Sequence, residues 1–101
     1  MKIWLNDIRQ PLPEYVWVRS VGEAKRVICD CEKAGMPIEE ISLDYDLGEY
    51  ELDGGKGLRL LEWLSSRGSF YPCEVNSSHF YGRPLMEKYI ADNWPEQADR
   101  S

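Results

Sequence analysis

Apolar residues along this chain fall into two kinds of run. Ile3-Trp4-Leu5, Tyr15 to Val18, Ile41-Ser42-Leu43 and Pro72 to Val75 are short, mostly apolar stretches that stop at polar residues. Runs of this kind predict four strands of a buried parallel sheet. Longer stretches repeat apolar residues three and four apart and predict helices. Ser20 opens the first as N-cap, and Glu23 completes a capping box. Val21, Ala24, Val27, Ile28, Cys31 and Ala34 form its inner stripe, and Gly35 ends it. Gly57 to Ser66 follows as the second helix, with Leu60, Leu61 and Leu64 inward and Gly68 after it. A third starts at Arg83-Pro84, proline being tolerated in a first turn, with Leu85, Met86, Tyr89 and Ile90 inward. Pro11 and Pro13 forbid a helix between the first two strands, and the acidic, glycine-bearing stretch Glu49 to Gly55 reads as a flexible loop that could fold over a site.

The order is therefore strand, loop, strand, helix, strand, helix, strand, helix. Right-handed crossovers arrange such a chain as a parallel sheet in the order 2-1-3-4, with helices expected on both faces in a three-layer α/β domain. Residues 1–94 make up that single domain, and 95–101 form a polar tail expected to fray. Ligands of open parallel sheets sit beyond the carboxyl ends of the strands, where strand order reverses. Strands one and three flank that point.

Polar residues gather at those ends. The first strand delivers Asn6, Asp7 and Arg9; the third, Asp44, Tyr45 and Asp46; the fourth, Asn76, Ser77, Ser78 and His79, with Arg83 at the next helix start. Asp7 and Asp44 could hold a hard cation such as magnesium and leave its other positions to water or phosphate. Arg9 and Arg83 suit phosphate oxygens through their forked donors, and the last helix adds the amides of its N-terminus. His79 is the one histidine, the side-chain type that ordinarily titrates near neutrality and can relay a proton. Plainer roles compete: Asp44 and Asp46 as turn caps, Ser77 and Ser78 as capping residues, Arg83 in a salt bridge, and Trp4, Trp17, Trp63 and Trp94 as packing.

Composition narrows the field. A net charge of −6 argues against wrapping duplex DNA by neutralising phosphates, while leaving room for a small nucleotide or an RNA end. Cys29, Cys31 and Cys73 lack ligand-like spacing and read as free thiols of a reducing compartment. Asn6 and Asp7 interrupt the opening apolar run, so no signal peptide or membrane span is expected, and the chain reads as cytoplasmic.

Several of these stretches carry a family likeness. Leu5-Asn6-Asp7-Ile8-Arg9 with Pro11, Ser42-Leu43-Asp44-Tyr45-Asp46-Leu47-Gly48, and Val75-Asn76-Ser77-Ser78-His79 with Gly82-Arg83 and Met86 resemble the cyclic-phosphate processing receiver family, a divergent branch of the receiver-like domains. The likeness runs from Lys2 to about Ile90. It implies a receiver-like, flavodoxin-like fold, and it implies site positions at Asp7, Arg9, Asp44, Asp46, Ser77 and Arg83. In ordinary receivers the aspartate that ends the third strand accepts a phosphoryl group, and Asp44 stands in that place. This chain departs from the pattern at four positions. Asn6 replaces the first acid of a pair, Tyr45 and Asn76 stand where the family has histidines, and His79 stands where it has asparagine.

The expected function is binding of a cyclic or terminal phosphate on a nucleotide or RNA end. Hydrolysis would draw on Asp7, Asp44, Ser77 and His79, with Asn6, Arg9, Tyr45, Asp46, Asn76 and Arg83 around the ligand and magnesium as the candidate cofactor. The alternative is a degenerate domain that binds a ligand without turnover, or binds a protein partner through Glu49, Glu51 and Asp53. A two-component phosphoacceptor fits less well, since no fifth strand with its lysine is found.

Overall fold

A computed structural model describes residues 1–95; the expected frayed tail lies outside the described residues from position 96 onward. The elements follow in the order β1 (Lys2–Leu5), β2 (Tyr15–Val18), α1 (Val21–Lys33), β3 (Glu40–Leu43), a 3₁₀ turn (Gly48–Leu52), α2 (Leu58–Arg67), β4 (Cys73–Val75) and α3 (Gly82–Asn93). The four strands form one parallel sheet in the order β2-β1-β3-β4. This is a receiver-like, flavodoxin-like arrangement, as the pattern predicts.

Register explains which side of the sheet is buried. Leu5 pairs with Val18 and Leu43, and Leu43 pairs with Val75. Together with Ile3 and Ile41 these side chains meet Val21, Ala24 and Ile28 of α1, Leu60, Leu61 and Leu64 of α2, and Met86 and Ile90 of α3 in one core. The opposite face carries Lys2, Tyr15, Glu40, Trp4, Trp17, Ser42 and Glu74, of which only Ser42 is buried. Its aromatic residues pack on one another and on nearby cations: Trp4 lies edge-on to Tyr15, and Arg19 sits 4.2 Å over Trp17.

Here the expectation of helices on both faces fails. The domain has two layers, and its helices share one face. Successive right-handed crossovers in the same direction stack their helices on the same side. Only the β1–β2 connection runs the other way, and Pro11 and Pro13 keep it a loop.

Two further expectations need correcting. Leu85 is 42% exposed, while Met86 and Ile90 are buried and half-buried Tyr89 packs against the core. Glu49 to Gly55 is a docked segment. The Asp53 carboxylate accepts the Ser20 hydroxyl and an Arg26 N–H, the Asp53 carbonyl accepts the Gly22 N–H, and the Glu51 carboxylate accepts from Lys56 and the Leu47 N–H. Sequence pattern misses this because Asp53 finds its partners 27 to 33 residues away, at the cap and in the first turns of α1. The three cysteines are free thiols, and burial pushes the Cys73 thiol up to about 12.

Candidate functional site

The carboxyl edge of the sheet continues past the strands as a short ladder. The Asn6 N–H donates to the Val18 carbonyl, the Asp44 N–H to Leu5 and the Asn76 N–H to Leu43, at 3.1, 2.9 and 2.9 Å. Residues just beyond the strand ends are thereby level with one another, and their loops open one cleft. It measures about 380 Å³ and is lined by Asp7, Ile8, Arg9, Asp44, Asp46, Gly48, Ser77, Ser78 and His79. Since β3 lies between β1 and β4, Asp44 forms the floor. The Asp7–Arg9 and Ser77–His79 loops form the walls.

Each wall is set by local hydrogen bonding. Buried Asn6 turns the β1 loop: its Oδ1 accepts the Ile8 and Arg9 N–H groups at 3.0 and 2.7 Å, an Asx turn that carries Asp7 and Arg9 to the cleft. Its amide donates to Asn76 Oδ1 at 3.2 Å, and Asn76 in turn donates to the Ser42 hydroxyl at 3.1 Å. The two asparagines therefore lie beneath the cleft and tie three strands together. Arg9 reaches across and donates to the Asn76 carbonyl.

On the other wall, the buried Ser77 hydroxyl accepts the His79 N–H at 3.1 Å, and it favours the ionised form of Asp44 across the cleft. His79 Nδ1 accepts the Gly82 N–H at 3.0 Å, at the first turn of α3. A neutral imidazole held this way carries its proton on Nε2.

Electrostatics separates the two carboxylates of the β3 loop. Burial pushes Asp44 above the ordinary carboxylate range and the Asp7 charge adds to this, against the Ser77 hydroxyl, the Tyr45 N–H and Arg9. Asp46 is held below the ordinary range, first by the Gly48 N–H that its Oδ1 accepts at 3.1 Å. Among the described residues, no three of His, Cys, Asp and Glu gather closely enough to hold a metal ion. Asp7 and Asp44 offer two repelling carboxylates at one spot, which fits a hard cation completed by water and phosphate and does not fit an all-protein cage.

Besides Asn6 and Asn76, two more sequence candidates fall outside the cleft. Tyr45 is buried and turns into a neighbouring hollow with Glu51, Lys56 and Arg59. Arg83 sits behind the β4 loop, donating to the Ser77 carbonyl at 3.2 Å and pairing with Glu87 one turn along α3. It positions Ser77 from behind. Ile8 and Gly48 line the cleft without having been singled out, and Ser78 lines it as expected of the fourth-strand loop. Gly48, at φ 58°, is the one with a readable signal, because a Cβ there would come within 2.9 Å of Asp7 Oδ2.

A parallel sheet in this order, with an aspartate at the end of its third strand and the polar loops gathered at the carboxyl edge, defines a receiver-like domain. The chain belongs to a specific branch of that class: the model of the cyclic-phosphate processing receiver domain matches residues 1–92. No curated protein and no solved structure matches the chain.

Proposed function

We propose that the cleft binds a cyclic or terminal phosphate on a nucleotide or RNA end, and that His79 makes it hydrolytic. The observation that carries this reading is the convergence of Asp7, Arg9, Asp44, Ser77 and His79, from three strand ends, on one open cleft. Its volume is of the order that small ligands occupy, and the family to which the chain belongs is described by cyclic-phosphate processing. Arg9 spends one donor on Asn76 and has others for phosphate oxygens. Magnesium, when bound, would be held by Asp7 and Asp44 and would offset the charge of the phosphate. The Ser77 hydroxyl favours the ionised form of Asp44. For His79 to act, Nδ1 lets go of the Gly82 N–H: the imidazole takes a proton from the water that attacks phosphorus, and the imidazolium so formed gives a proton to the sugar oxygen released as the P–O bond of the cyclic ester breaks.

Pure protein incubated with 2′,3′-cyclic nucleotides and magnesium should yield the monoester. His79→Ala should slow that turnover by about 10²-fold or more, the usual reach of a positioned general acid. Turnover no greater than that of a His79→Ala, Asp44→Ala double variant would sink the hydrolytic part.

One observation favours a second reading, binding without turnover. Asn6 and Asn76 hydrogen-bond to each other where the family pattern carries an acid and a histidine, so two ionisable groups are replaced by a neutral amide pair. Under this reading a nucleotide panel shifts the melting midpoint, Arg9→Ala weakens the shift, and no product forms. The alternative of a protein partner held by Glu49, Glu51 and Asp53 draws less support, because Glu51 and Asp53 are engaged within the fold. The proposal places the protein in the cytoplasm. No helix among the described residues is long and apolar enough to cross a membrane.

A further inference from the structure

The cleft has a polar floor, and two exposed apolar side chains belong to its walls: Ile8, which lines it, and Phe80, which stacks on the lining residue His79. With β3 between β1 and β4, the β1 and β4 loops are separated by two interstrand spacings, about 10 Å at the backbone. On the β1 side Ile8 lines the cleft while 81% exposed. On the β4 side Phe80 is 86% exposed, and its ring is held in order. It stacks on His79, with centroids 5.4 Å apart and planes 14° from parallel. Tyr81 meets both rings edge-on, at 4.4 Å from His79 and 5.1 Å from Phe80. Buried Tyr45 supports His79 and Tyr81 from below, at 5.0 and 5.6 Å. Four rings thus run from the core to an exposed position next to the cleft-lining His79. A side chain as exposed as Phe80 adds little to folding by burial, so the stability of the domain gives no reason for this arrangement.

We propose that Phe80, stacked on the cleft-lining His79, is a nucleobase subsite beside the cleft, and that the ligand is a nucleoside phosphate. The inference rests on the phosphate reading above and names its substrate class. With the phosphate on the Asp44 floor, a sugar phosphate leaves the Phe80 ring in water, whereas a purine or pyrimidine ring has a face to stack on it. Every base has a π-face, so stacking of this kind selects for the presence of a base and tolerates its identity. A free mononucleotide and the end of a strand offer the same chemistry.

Calorimetry on the full chain with adenosine 2′,3′-cyclic phosphate and with its base-free counterpart, methyl riboside 2,3-cyclic phosphate, tests the assignment. The adenosine ligand should bind more tightly by about 5- to 100-fold, the range that base–aromatic stacking supports. Phe80→Ala should erase that preference and Phe80→Trp should keep it. Equal affinities in the unaltered protein, or the same preference in Phe80→Ala, would overturn the base subsite and leave the phosphate reading standing. No binding of either ligand would overturn both. A short oligonucleotide ending in the same cyclic phosphate distinguishes the sources: tighter binding than the mononucleotide assigns a strand end, and equal binding a free nucleotide.

Discussion

Asp44 is a carboxylate on which burial and function make opposite demands. Its folded pKa is raised, chiefly by burial and further by the Asp7 charge, so the fold disfavours the ionised form. Stability linked to this group is therefore greatest while it is protonated, and falls as pH rises from the unfolded pKa through the raised one. Asp44→Asn removes the charge and keeps the shape. In metal-free buffer at pH 7 the variant should melt roughly 2–6 °C higher than the parent, and the gap should close under acid conditions where Asp44 is neutral as well. Added magnesium should raise the melting midpoint of the parent and leave the variant unmoved. A variant less stable than its parent at pH 7 would show that the Ser77 hydroxyl and the Tyr45 N–H outweigh burial.

At the scale of elements, the start of α1 does two jobs. Ser20 caps the helix by accepting the Glu23 N–H at 3.0 Å, and Glu23 returns the bond to the Arg19 N–H at 2.9 Å. The same hydroxyl donates to Asp53 at 2.7 Å, so the cap also anchors the segment after the 3₁₀ turn, whose Gly48 reaches the cleft. Ser20→Ala should destabilise the domain by about 1 kcal/mol, as the loss of a serine cap ordinarily does. It should also speed hydrogen exchange at the Gly22 amide, which donates to the Asp53 carbonyl. Asp53 lies below the ordinary carboxylate range, first through the Ser20 bond and then through Arg26. Its contribution is present above the unfolded pKa and lost as pH falls through the folded one. Denaturant titrations should therefore show Asp53→Asn weaker than its parent at pH 7, with the two converging below about pH 4.

At the scale of the whole molecule, the site exists because α2 and β3 come very close. Gly57 N–H donates to the Tyr45 carbonyl at 2.9 Å, and a Cβ at Gly57 would stand 1.8 Å from the Asp44 carbonyl oxygen. The clash is with backbone, which cannot swing away. Gly57→Ala should lower stability by about 2 kcal/mol or more in urea denaturation, as overpacking of a tight contact does. It should weaken ligand binding as well, by moving the Asp44 floor. The chain's pattern of apolar runs, caps and prolines determined the elements, their order and the sheet topology, because those follow from local preference and from handedness. It also determined which loops meet at the carboxyl edge. Tertiary structure alone decided which of those residues face the cleft. Asn6 and Asn76 go beneath it, Tyr45 to its side and Arg83 behind it, because their partners lie on other segments. It alone decided as well that one face of the sheet stays uncovered, since that depends on which side each crossover takes. Asp53 joined α1 for the same reason: contacts between residues distant in sequence leave no local periodicity to read.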